Sequence, residues 1–179
     1  MPTWISLLRA VNLGSHNKVS MPALREHLAE AGFEDVRTYV QSGNLVTTSA
    51  HRTEKGVARA VAKVVAERHG VDVPVIVRSP EDMARVLALD PFPAATKRQP
   101  KLVSVVFFEK QLVGGKAFAE HAAALGEEVV VDGRELYISY TARGVHASKL
   151  TPAVLRRRLG QDGTARNWRT VQALVDLTR

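Results

Sequence analysis

Cysteine is absent from the 179 residues, which excludes disulfide frameworks, thiolate zinc sites and a thiol nucleophile. Aromatic residues are scarce, at 6%, and no apolar run approaches the roughly 20 residues that a membrane span needs. The opening residues Met1-Pro2-Thr3-Trp4-Ile5-Ser6-Leu7-Leu8-Arg9 have neither the basic start nor the small-residue cleavage site of a signal peptide. A soluble, cytoplasmic chain without membrane association is the expectation. Hydrophobic residues, at 45%, are enough to fill one core or two small ones.

Familiar catalytic motifs are missing as well. Gly114-Gly115-Lys116 lacks the first glycine and the closing hydroxyl of a phosphate-binding P-loop, and no Gly-x-Gly-x-x-Gly follows a strand. The six histidines show no His-Glu-x-x-His spacing, and no Gly-x-Ser-x-Gly elbow occurs. The glycine and aromatic signature of RNA-recognition domains is also absent. Neither a cofactor nor a metal is expected.

What is present is a basic excess with an uneven spread. The net charge is +7. Residues 1–90 hold 11 basic and 10 acidic side chains, whereas residues 91–179 hold 14 and 8. Such a surface attracts anionic partners, nucleic acid and phosphorylated small molecules among them, and equally serves solubility alone. Arg156-Arg157-Arg158 is the densest cluster. Three consecutive helical residues fan through roughly 200°, which suits a solvated helix surface better than a flat phosphate-reading face.

The hydrophobic pattern predicts an order of elements. Residues 3–9 read as a strand and lead into a polar segment. Ser20 caps a helix with Pro22 in its first turn and Leu24, Leu28 and Ala31 on one face. Val36, Thr38 and Val40 alternate, Gln41-Ser42-Gly43-Asn44 breaks the pattern, and residues 45–48 resume it, as a β-hairpin requires. A helix over residues 52–69 closes at Gly70, and residues 73–77 form an apolar strand. This is the β-α-β-β-α-β order of a ferredoxin-like lobe. Ser79-Pro80-Glu81-Asp82 starts a connecting helix, and residues 90–99 read as a proline-rich irregular linker. The second half repeats strand, helix, strand, strand, helix and then ends in another helix, without a final strand. The expected fold is therefore α+β, with two ferredoxin-like lobes of antiparallel sheet covered by helices on one face. Their bounds are 1–78 and 102–179, with residues 79–101 as connector.

That topology places the candidate site. Right-handed crossovers set the second strand two positions from the first, with the third between them. Adjacent strands lie about 5 Å apart, so Arg9 and the loop after it should approach Asn44. Asn12, Asn17 and Lys18 belong to the same loop. Arg9, Asn12, Lys18 and Asn44 form a candidate cradle for an oxyanion or phosphate, whose oxygens guanidinium forks and free N–H groups both match. The alternative is that the asparagines and glycines only shape turns. In Arg166-Asn167-Trp168, Asn167 suits an N-cap of the last helix, and Arg166 then sits just outside the positive helix end, where an anion is welcome. The same residues also fit a simple cap and an apolar anchor.

Arg9, Asn12, Gly14, Asn17 and Lys18, the hairpin Gln41-Ser42-Gly43-Asn44, and Arg166-Asn167-Trp168 resemble, in that order along the chain, a bacterial family known as domain of unknown function 1697. The sequence departs from the pattern at Ala10, Ser15, His16 and Arg169. The resemblance implies a compact two-lobed α/β protein and brings no established reaction with it. The leading expectation is non-catalytic binding of an anionic small molecule or nucleic acid at Arg9, Asn12, Lys18 and Asn44, joined by Arg166 and Asn167. A small phosphohydrolase similar to acylphosphatase, with Arg9 on phosphoryl oxygens and Asn44 holding water, is the enzymatic alternative. A scaffold without a small-molecule site is the third. The sequence specifies no oligomeric state.

Overall fold

The computed structural model describes residues 1–141 and 143–179. They form two compact units, one of residues Met1–Arg85 with Ala173–Arg179 and the other of Val86–Gln172.

The first unit contains β1 (Thr3–Leu8), α1 (Met21–Glu30), β2 (Glu34–Tyr39), β3 (Asn44–Thr48), α2 (Glu54–His69) and β4 (Val75–Arg78). Its antiparallel sheet has the order β2-β3-β1-β4. Local chemistry sets the helix ends. The Ser20 hydroxyl accepts the Ala23 N–H and the Thr53 hydroxyl accepts the Gly56 N–H, while Gly70 closes α2 in the left-handed conformation. Trp4, Leu8 and Leu45 from the sheet pack with Leu24, Leu28, Val57, Val61 and Val65 from the two helices, all buried. Each of the aliphatic side chains contributes about 1.5–3 kcal/mol by leaving water.

α3 (Pro80–Leu89) and α4 (Pro93–Arg98) follow, and then β5 (Val103–Phe107), α5 (Gly115–Ala124), β6 (Glu128–Asp132), β7 (Glu135–Ser139), α6 (Pro152–Leu159), β8 (Thr164–Asn167) and α7 (Trp168–Asp176). The second antiparallel sheet has the order β6-β7-β5-β8. Val106, Phe108, Leu136 and Ile138 pack with Phe118, Ala122, Leu155 and Leu159. The α+β class with two four-stranded antiparallel sheets agrees with the sequence reading. Among the described residues no helix is long and apolar enough to cross a membrane.

Two expectations are corrected. The second half does have a final strand, β8, which pairs with β5 through Ser104 opposite Asn167 and Phe107 opposite Thr164. Its inward positions are Thr164 and Arg166, so it carries no apolar alternation to read. The stretch over residues 90–99 is also not wholly irregular, because Pro93 opens the short helix α4 in its first turn.

Candidate functional site

Strand pairing brings the first loop to the hairpin. In β1 and β3, Leu7 stands opposite Asn44, and the Leu8 N–H donates to the Gly43 carbonyl at 2.8 Å. Arg9 is the next residue, half-buried, and its backbone N–H donates to the Pro74 carbonyl at 3.0 Å just ahead of β4. Arg9 and Asn44 therefore share one end of the sheet, although more than thirty residues of chain separate them.

The asparagines that join them are braces. The Asn12 Oδ1 accepts the Val19 N–H at 2.9 Å, while its Nδ2 donates to the Val19 carbonyl (2.9 Å) and to the Gln41 carbonyl (2.7 Å). One side chain thus closes the loop on itself and ties it to the hairpin. The Asn17 Nδ2 donates to the Ala10 carbonyl at 3.1 Å, and its own carbonyl accepts the Asn12 N–H at 3.0 Å. Asn44 is fully buried, and its Nδ2 donates to the Tyr39 carbonyl and the Ser42 hydroxyl, both at 2.9 Å. Its side chain is withdrawn from the surface and staples the four-residue turn over 40–43. This leaves Lys18, exposed, and Arg9, half-buried, as the charged groups of the set.

The backbone here is held in an unusual conformation. Four of the six non-glycine residues with positive φ among the described residues, Ala10, Asn12, Asn17 and Val40, lie in this loop and hairpin. Asparagine tolerates that region, but a β-branched residue such as Val40, at φ +50°, is strained by roughly 1–2 kcal/mol. Such strain persists only where neighbouring structure enforces it, and it concentrates at functional sites. Gly43, itself at φ +75°, answers a second need as well, since a Cβ there would lie 2.5 Å from Val11 Cγ2 and 2.7 Å from Leu8 Cβ. Leu13 and Val40 are 64% and 53% exposed, and all of residues 13–18 are exposed. No acidic residue occurs over residues 9–25 or 36–44, which include Arg9, His16, Lys18, Arg25 and Arg37. The surface is a rigid, basic knuckle with two apolar tips. Sequence reasoning found its residues but missed Leu13 and Val40, because exposure and positive φ leave no mark in a hydrophobic pattern.

Arg166 and Asn167 belong to the second unit. The Asn167 Oδ1 accepts the Thr170 N–H at 3.0 Å, so Asn167 caps α7 as expected. Arg166 is not exposed outside the helix end. It is buried on β8, where its guanidinium donates to the Thr164 hydroxyl and the Ala165 carbonyl, both at 2.8 Å. Burial lowers its pKa to about 10.

A cavity of about 620 Å³ in the first unit is lined by Pro2, Thr3, Trp4, Arg52, Ser79, Pro80, Glu81 and Thr178. It adjoins the start of β1, the opposite end of that strand from the knuckle. No cluster of three or more histidine, aspartate or glutamate side chains among the described residues is placed to hold a metal ion.

Comparison with known proteins gives a fold and a family. A solved structure described as that of a conserved bacterial protein from Streptococcus pneumoniae superposes with a TM-score of 0.72. The match is at 20% identity over 99% of each chain, which speaks for the fold alone. No curated protein matches this chain. Residues 1–137 match the family described as protein of unknown function (DUF1697), and the chain belongs to that family.

Proposed function

We propose that each unit is a ferredoxin-like lobe and that the protein is a non-catalytic, nucleic-acid-binding member of its family, docking phosphates on the knuckle of the first unit. The strand orders β2-β3-β1-β4 and β6-β7-β5-β8, each threaded β-α-β-β-α-β, support the lobes. The observation that carries the binding reading is a braced loop, exposed over residues 13–18, with no acid in it or in the turn over 40–43 that holds it. A small anion needs an enclosing pocket, whereas a projecting surface fits the extended phosphate array of a polymer. Arg9 and Lys18 supply the charge, Asn12 and Asn44 fix the frame, and Leu13 and Val40 supply apolar contact to sugar or base faces. A hydrolytic role for Asn44 has no support in its geometry, since its amide is spent on Tyr39 and Ser42.

The test is fluorescence anisotropy with a labelled single-stranded oligonucleotide over a salt series. Two phosphate contacts give a log–log salt slope of about −1.4 on a single strand, and removal of Arg9 or Lys18 by alanine substitution reduces it by about 0.7. No salt-sensitive association at about 50 mM salt or below overturns the reading. Equal binding of a mononucleotide would redirect it to small ligands.

A further inference from the structure

His27 and His69 lie 42 residues apart in the sequence and meet where α1 and α2 end. The His27 Nδ1 is 3.2 Å from the His69 Nε2, and the ring centroids are 5.0 Å apart with planes inclined at 65°. We propose that this pair is a binding site for a divalent first-row transition-metal ion, zinc above all, clipping the C-terminal ends of the two helices together.

The pair makes a hydrogen-bond contact as it stands, and its geometry also fits a shared ion. Two imidazole nitrogens each about 2.0–2.1 Å from one tetrahedral zinc are about 3.3 Å apart, and the rings then have centroids about 5.2 Å apart. Both observed values lie within about 0.2 Å of these. Nitrogens meeting head on at this separation would hold the centroids at about 5.5 Å, and a good N–H···N contact favours that straighter approach. The electrostatic setting agrees. His27 is in the last turn of α1 and His69 is the last residue of α2, so two negative helix ends face the ion. Glu30, one turn beyond His27 on the same face, is ion-paired at 2.8 Å with Arg68, the neighbour of His69. That pairing offsets the charge of Arg68. Both rings are half-buried and so within reach of solvent, and water fills the remaining coordination positions.

This inference is independent of nucleic-acid binding, and its test contains no nucleic acid. Untagged full-length protein is titrated with zinc chloride by calorimetry and by thermal melting, alongside His27→Gln, His69→Gln and the control His121→Gln. The expected result is at least a tenfold loss of affinity in each of the first two variants and none in the control. At a hundredfold excess over the dissociation constant, zinc raises the wild-type Tm by about 5 °C, and the two clip variants lose this rise. Unchanged affinity in both variants, an equal loss in His121→Gln, or no binding at millimolar zinc overturns the proposal. Should the glutamine variants fail to fold, electron paramagnetic resonance of the wild type with one equivalent of copper(II) decides it. Two coordinated imidazole nitrogens support the clip, and one or none overturns it.

Discussion

At the end of the first strand of each unit, one N–H reaches across to the hairpin between the second and third strands: Leu8 to Gly43 at 2.8 Å, and Phe108 to Arg134 at 3.0 Å. The third residue of that strand faces a buried arginine on the last strand, Ile5 opposite Arg78 in one unit and Val105 opposite Arg166 in the other. Both guanidinium groups donate to the carbonyl of the residue just before them, at 2.9 and 2.8 Å. Both arginines also precede a helix cap, with Ser79 accepting the Asp82 N–H and Asn167 the Thr170 N–H. The loops after the first strands share none of this. Residues 9–20 carry three non-glycine positive-φ positions and a mesh of asparagine bonds, whereas residues 108–114 have only Gly114 at positive φ. What recurs is what the architecture requires; what does not is where a function specific to this chain is to be sought.

The strongest way to break that comparison is to remove the two arginines in turn. Arg78→Met and Arg166→Met each strip hydrogen bonds and charge from a buried position while keeping the apolar stem. Each should lower stability by about 4 kcal/mol, measured by urea unfolding. A large loss at one position beside a negligible loss at the other would end the claim that they are equivalents. The hairpin glycines separate the units next. Gly43→Ala forces a Cβ into Val11 and Leu8 and should cost about 3 kcal/mol. At Gly133, with φ +58°, an added methyl would meet nothing within 4 Å, and replacement by alanine should cost only about 1 kcal/mol.

Alkali tests the second unit alone. Tyr140 has its pKa pushed up to about 12, first by burial and then by the charge of Glu127, and Tyr137 is raised further by burial and by Glu135, Asp132 and Asp90. A folded-state pKa above the unfolded value of about 10 means that the unfolded chain loses its phenolic protons first. The stability these phenols confer is complete below about pH 10 and lost as pH rises toward about 12, by on the order of 2 kcal/mol for each. Melting followed through Trp168 in a Trp4→Phe background should fall across that range more steeply than melting followed through Trp4 in a Trp168→Phe background.

Every helix but α4 and most strands were legible because caps, closing glycines and apolar spacing are local. β8 was not, since Thr164 and Arg166 occupy its inward positions and a buried arginine reads as a surface residue. The site was legible in part. Topology placed Arg9 beside the hairpin, but whether an asparagine faces solvent or its own backbone depends on bonds such as Asn12 to Val19 and Gln41, which no single-chain pattern encodes. The histidine pair was invisible for the same reason, because residues 42 positions apart meet only once two helices have packed.

The smallest effect carries the most information about the difference between the units. Val40→Gly removes a β-branched side chain from φ +50°, relieving about 1–2 kcal/mol of strain, and gives back about 0.5–1 kcal/mol through the greater freedom of an unfolded glycine. The variant should be more stable by about 0.5 kcal/mol. If the knuckle docks nucleic acid, the same change removes one of its two apolar tips and weakens oligonucleotide binding while the salt slope, set by Arg9 and Lys18, stays the same. A gain in stability with binding intact would show that the strain is a by-product of the four-residue turn. Loss of binding at constant slope would show that the chain holds Val40 in an unfavourable conformation because contact with the partner requires it.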